Sequence, residues 1–309
     1  MMEEHIKRTD SWSPPAIFDE YRIVAPLSRG GMGEVYLGHD TLLDRPVAIK
    51  FINAIEPDNE TLEQFLTEAR AAARIQHPNV VSVYRVGEIA GRPYIVSEFV
   101  QGQCLDALLI PMPWTRAHEL GLGLARGLAA AHRCGVLHRD IKPSNAIISS
   151  AGVVKLLDFG LAEFVDSVAV TVESHLPLSK ISGRDIRTAT NTTVELPVDA
   201  ASLRAKQAQG SAPERVVRII GTPHYLAPEI WLGEPSTRQS DVYAMGAVLF
   251  ELCAGMPPHY DPHASLDELR KSVSRQEVLP LTKSVTGIEP RGGRTCGERD
   301  RAPCARAPG

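Results

Sequence analysis

The stretch His138-Arg139-Asp140-Ile141-Lys142-Pro143-Ser144-Asn145, followed after a short strand by Asp158-Phe159-Gly160, limits this chain more than any other part of it. One loop offers a carboxylate, an ammonium and an amide, and a second carboxylate follows. That is what phosphoryl transfer from a nucleotide needs. One carboxylate can orient and deprotonate an alcohol. The amide and the other carboxylate can hold magnesium on the phosphates, and the lysine can neutralise charge on the moving group. A His-Arg-Asp triplet alone arises often by chance; Asp140-x-Lys142-x-x-Asn145 with Asp158-Phe159-Gly160 behind it does not.

Two features upstream point the same way. Leu27-Ser28-Arg29-Gly30-Gly31-Met32-Gly33-Glu34-Val35 is a glycine-rich turn between two predicted strands, where backbone N–H groups can approach phosphate oxygens without side-chain obstruction. By itself such a turn is commonly just a turn. Val47-Ala48-Ile49-Lys50 then sets a lysine in an apolar strand. A lone lysine there usually snorkels toward water, but Glu68 on the next helix supplies an anion that could fix it. In isolation Glu68 would read as a surface glutamate.

Composition excludes several classes. With 309 residues, 43% hydrophobic and 23% charged, the chain can bury one large core or two lobes. A net charge of -4 gives no reason to expect nucleic acid or an anionic membrane as partner. Five cysteines, an odd number without CxxC spacing, read as reduced thiols in a cytoplasmic protein rather than a zinc site or disulfide framework. The start carries no apolar core of a signal peptide, and Ala244 to Cys253, the most apolar stretch, is too short to span a bilayer.

Periodicity divides the chain. Residues 1–17 read as a flexible polar leader. Tyr21–Val24, Glu34–Leu37 and Pro46–Lys50 alternate as strands; Leu62, Phe65, Leu66, Ala69, Ala72 and Ala73 recur at helical spacing after Asp58-Asn59. Val80–Val86 and Pro93–Phe99 read as two further strands, which makes a small β-rich lobe over 18–100. From Trp114 the pattern is helical, with further helices over Ser240–Cys253 and Leu266–Ser274 in a second lobe over 101–285. Residues 165–215 are rich in Ser, Thr, Ala and Val without sustained period, and 286–309 read as a disordered tail. From Arg291 onward that tail has no Val, Ile, Leu, Met, Phe, Tyr or Trp to offset its ordering entropy.

Taken together these motifs resemble the catalytic domain of eukaryotic-like (Hanks-type) bacterial serine/threonine protein kinases. The resemblance implies an α+β bilobal fold, with a small antiparallel β lobe carrying one helix and a larger helical lobe. It implies ATP and Mg2+ as cofactors and protein Ser/Thr hydroxyls as acceptors, in signal transduction. Asp140 would be the base and Lys142 would screen the transferred phosphoryl. Asn145 and Asp158 would hold the metal, and Lys50 would hold the α- and β-phosphates while Glu68 pairs with it. Ser28, Gly30, Gly31 and Gly33 would cover the phosphates, with Ser28 standing where the family's first glycine is expected. Val35, Ala48 and Ile147 would sandwich the adenine, the backbone around Glu98 and Val100 would read its edge, and Ser97 falls at the gatekeeper position. His138 would pack behind the loop with Phe159, and Arg139 marks kinases in which a phosphorylated activation loop docks beside the base. In Gly221-Thr222-Pro223-His224-Tyr225-Leu226-Ala227-Pro228-Glu229, Thr222 would bond toward Asp140 and Lys142. Asp241 would brace the catalytic-loop backbone.

Two departures qualify the likeness. The Gly160–Ala227 stretch is much longer than the family's activation segment and carries many hydroxyls between Ser167 and Ser211, candidates for autophosphorylation, yet Pro213–Ile220 has none. After Leu281 the family's last helices, and the arginine that pairs with Glu229, give way to an Arg-Gly-Pro-Cys tail. That is the composition of GC-rich coding sequence read out of frame, so a truncated or frame-shifted product with an incomplete larger lobe is expected. The alternative reading is an ATP-binding pseudokinase or inactive fragment acting as an interaction module. A small-molecule phosphotransferase is disfavoured by Ala227-Pro228-Glu229.

Overall fold

A computed structural model describes residues 12–30, 33–53, 59–159, 194–197, 216–219 and 222–275, together with positions 278, 280, 281 and 285. The first lobe is a six-stranded antiparallel sheet in the order β1-β2-β3-β4-β6-β5. Its strands are β1 Ile17–Phe18, β2 Tyr21–Gly30, β3 Gly33–Asp40, β4 Arg45–Ile52, β5 Val83–Ile89 and β6 Arg92–Glu98. Alternation along β4 decides what each face carries. Val47, Ile49 and Phe51 point one way into an aromatic core with Phe18, Tyr21, Tyr94 and Val96. The other face meets α1 (Asn59–Ala73) through Phe65, Ile52 and Ile95, and it offers Ala48 and Lys50 to the cleft below.

The chain leaves the sheet at Glu98 and begins β7 (Gly102–Cys104), which pairs with β8 (Ala146–Ser149) and β9 (Val154–Leu156) in a three-stranded sheet. Helix α2 (Trp114–Arg133) and α4 (Arg238–Ala254) supply the main core of this second lobe, with Leu120, Leu124, Leu128, Val248 and Leu252 buried together. Thr237 caps α4 through a reciprocal capping box with Ser240. The short α3 (Pro228–Trp231) and α5 (Leu266–Arg275) pack through Trp231, Leu269 and Val273. Val194–Pro197 (β10) and Val216–Ile219 (β11) form an antiparallel ribbon. The rest of the 165–215 stretch, and the 286–309 tail, lie outside the described residues. Among the described residues no helix is long and apolar enough to cross a membrane.

Two local expectations are revised, and three short strands are added. The strand read from Val80 begins only at Val83, because Val80 bridges in parallel to Leu156 and Val81 N donates to Leu156 O, so this backbone serves the second lobe. The leader read as flexible over 1–17 is ordered from Trp12 onward. Trp12 sets its ring 5.1 Å from that of Phe51, and Ile17–Phe18 pair with β2. Burial of two aromatics provides what composition alone did not suggest. The short strands β7, β8 and β9 carry too few residues to show a period.

The seam between Val80 and β9 is closed from below by α2. A Cβ built on Gly127 would lie 2.5 Å from Asn79 O, and Asn79 Nδ2 donates to Val154 O at 2.7 Å. Gly127→Ala in an open helix would gain about 1 kcal/mol of propensity. Here it is expected to lower the melting temperature, because the contact is with backbone that cannot yield without moving the seam. A thermal melt that rises on this substitution would show the approach to be loose.

Candidate functional site

A cavity of about 640 Å³, within the range of small-molecule sites, opens between the lobes. Register explains its walls. β3 pairs with β4 so that Val35 faces Lys50, and β4 pairs with β6 so that Ala48 faces Ser97. Ser28, Gly30 and Gly33 form the roof, and Glu98 and Val100 line the connection between lobes. Lys142, Asn145, Ile147 and Asp158 reach it from the second lobe. Behind Ser97 it continues between Ala69, Ala72, Val83 and Ile95. Gly33 is held at φ 151°, and a Cβ there would lie 2.0 Å from Phe51 O, so only glycine fits this crossing. Gly31 lies outside the described residues.

The catalytic-loop candidates interlock. Lys142 Nζ lies 2.8 Å from Asp140 Oδ2, and Asn145 Nδ2 donates to both Asp140 O and Asp140 Oδ2 at 2.8 Å. All three are buried. A 3-10 turn at Pro143–Asn145 brings the amide back over the aspartate. Leu157 N donates to Asn145 O at 2.9 Å, so the strand delivering Asp158 hangs on the same turn. Asn145 and Asp158 offer hard oxygen donors to one cavity and are the residues that could hold a magnesium ion, which typically takes one or two carboxylates with phosphates and waters completing its shell.

Beneath the loop, Asp241 at the start of α4 is 2% exposed and accepts from three donors. These are Arg139 N at 2.8 Å, His138 N at 2.9 Å and His132 Nε2 at 2.8 Å. Arg139 sits at φ 67°, a conformation costly for a side chain of its size. His138 is fully buried, its ring 4.5 Å from Phe159, and among the described residues neither nitrogen is hydrogen-bonded. Burial pulls its pKa below the ordinary value, which keeps the imidazole neutral.

Two expected pairings are not formed, and one residue expected to lack a partner has one. Lys50 Nζ sits 2.8 Å from Asp158 Oδ2, not on Glu68. Burial pushes the Asp158 carboxyl up, but the Lys50 ammonium more than offsets this and holds it below the usual carboxylate range. Glu68 instead accepts from Arg139 Nη1 at 3.1 Å. Each charge thus has a nearer counter-ion than the predicted one. Thr222 Oγ1 is buried without a hydrogen-bond partner among the described residues, and Lys142 and Asn145 already occupy the Asp140 carboxylate. Glu229, expected to lose its partner, accepts from Ser240 Oγ at 2.6 Å.

Sequence reasoning missed His132 and Lys155. Lys155 Nζ lies 2.8 Å from Glu98 Oε1 and so ties the connection between lobes to β9. Its charge in the middle of Val153–Leu157 was the available signal.

Residues 21–175, half of the chain, match the protein kinase domain model, and the chain belongs to the protein kinase family. It is 36% identical over 245 residues to a probable serine/threonine-protein kinase PknB of Lactococcus lactis, an alignment covering 78% of this chain and 32% of that protein. It is 30% identical over 291 residues to the serine/threonine-protein kinase PknD of Protochlamydia amoebophila, covering 88% and 26%. With the serine/threonine-protein kinase PrkC of Bacillus subtilis the identity is 33% over 246 residues, covering 78% and 31%. The chain spans about a quarter to a third of the length of the curated relatives it matches.

Proposed function

We propose that this chain transfers the γ-phosphate of ATP to serine or threonine hydroxyls of protein substrates. The observation that carries the reading is the buried Asp140–Lys142–Asn145 interlock at the floor of a nucleotide-sized cleft, with Lys50 and Asp158 across from it. Asp140 orients the acceptor hydroxyl and takes its proton. Lys142 neutralises charge on the phosphoryl in transfer. Asn145 and Asp158 would hold magnesium, which would supply positive charge against the phosphates. Lys50 binds the α- and β-phosphates, with Glu68 as its anion once Arg139 releases it. Val35, Ala48 and Ile147 enclose the adenine, and Ser28, Gly30, Gly31 and Gly33 cover the phosphates. Thr222 shapes the acceptor site, and Glu229 anchors that segment through Ser240. Hydroxyls between 167 and 211 are acceptors for autophosphorylation. Free thiols at Cys104, Cys134 and Cys253 agree with a reducing, cytoplasmic site where ATP is at hand.

The test is transfer of labelled γ-phosphate to a generic basic protein with magnesium, followed by phosphoamino-acid analysis. Label on serine and threonine is expected; label on tyrosine, or none, would overturn the reading. A second reading, nucleotide binding without transfer, draws on the Glu68–Arg139 pair, which holds Glu68 away from Lys50. Both readings expect Mg·ATP at a hundredfold excess over Kd to stabilise the fold by about 2.7 kcal/mol. For a chain of this size that is a rise of roughly 5–10 °C in a thermal-shift assay.

A further inference from the structure

The strands of the nucleotide-binding hairpin have a second face. Val35, Ala48 and Lys50 look into the cleft, and the residues between them look away from it. Glu34, directly between Gly33 and Val35, points to that reverse side and is 9% exposed. Its Oε1 lies 2.7 Å from Arg29 Nη2, its cross-strand partner on β2, and Tyr36 Oη donates to its Oε2 at 2.6 Å. Arg92 is 8% exposed at the start of β6. Burial lowers the pKa of its guanidinium, and Glu34 and Tyr36 oppose that effect. Arg92 is covered by Trp12, whose ring centroid is 4.1 Å from Cζ and which also packs on Phe51, the neighbour of Lys50.

We infer that Trp12, Arg92 and Glu34 form a clamp on the reverse face of the nucleotide-binding hairpin, through which the segment ahead of β1 sets affinity for the nucleotide. The inference rests on the kinase reading. A buried glutamate beside Gly33 ties β3 to β2 at the Arg29–Glu34 pair, next to the Gly30–Gly33 pair that roofs the cleft. Trp12 covers the Arg92 guanidinium and packs on Phe51, which stands opposite Glu34 in the β3–β4 register and meets the ring of Tyr36, the donor to Glu34. Removing the indole uncovers Phe51 and loosens the Tyr36–Glu34–Arg29 chain packed on it, and with it the roof of the cleft. These are positioning residues; none touches the nucleotide.

The test compares Mg·ATP affinity by calorimetry and steady-state kinetics for the wild-type chain, Trp12→Ala, Trp12→Phe and Glu34→Gln. Trp12→Ala and Glu34→Gln are expected to raise Kd and KM for ATP about fivefold or more, the scale of ordinary coupling between sites, with kcat at saturating ATP unchanged. Trp12→Phe, which keeps a weaker aromatic face over the guanidinium, is expected to fall between. Glu34→Gln preserves shape and serves if the Trp12 variants do not fold. Affinity within twofold of wild type while the melting temperature drops would overturn the inference and leave the cluster as packing. A fall in kcat with unchanged KM would overturn it as well. A wild-type chain that binds no ATP would overturn the kinase reading itself, a separate result from a wild type that binds and variants that bind equally.

Discussion

Asp158→Asn is expected to abolish phosphotransfer while the fold and nucleotide binding persist. The carboxylate lies on the cleft wall, partly exposed, where its contact is with Lys50 rather than with either core. Exchange for an amide of equal shape leaves packing intact and removes the charged ligand proposed for magnesium. Metal stabilisation of charge in such reactions amounts to several kcal/mol. Loss of about 4 kcal/mol corresponds to a ~10³-fold fall in kcat. Labelled ATP with a basic protein acceptor measures it, and a thermal shift with ATP checks that the variant is folded. Residual transfer above a tenth of wild type would sink the assignment of Asp158. Lys50→Met tests the same wall from the other side, with loss of transfer expected together with weaker ATP binding.

How far the sequence disclosed the site follows from what sequence periodicity encodes. Alternation in Val47–Phe51 says that Ala48 and Lys50 share a face, while the family resemblance assigned that face to the nucleotide, and in the fold both line the cleft. The spacing of Asp140, Lys142 and Asn145 gave the loop because its contacts are local. A 3-10 turn closes them within five positions. Ion pairing across the molecule is different in kind. Lys50 has two carboxylates to choose between, 18 and 108 positions away in the chain, and only the position of α1 over the loop decides that Glu68 meets Arg139. Trp12 was missed for a related reason. A single aromatic in a polar segment has no period, and its partners Phe51 and Arg92 lie on strands that come together only in the folded sheet.

Asp241 is where fold and chemistry join, and Asp241→Ala is expected to damage both. Its carboxylate satisfies His138 N and Arg139 N, two backbone donors with no helix or strand to serve them, and receives His132 Nε2 besides. It also holds Arg139 at a positive φ that the chain would otherwise leave. Orphaning buried donors costs about 1–3 kcal/mol each. A loss of roughly 3 kcal/mol or more is therefore expected, and at about 2–4 °C per kcal/mol for a chain of this size this lowers the melting temperature by some 6–12 °C. Urea melts should show a lower midpoint at constant m. Asp241→Asn keeps one acceptor oxygen but presents its NH₂ to donors, so it should fall between wild type and alanine. Because the loop bearing Asp140 moves while the roof over the nucleotide does not, kcat should fall further than KM for ATP rises. A change in stability below about 1 kcal/mol, the range of ordinary surface substitutions, would mean that the loop holds its shape without this carboxylate.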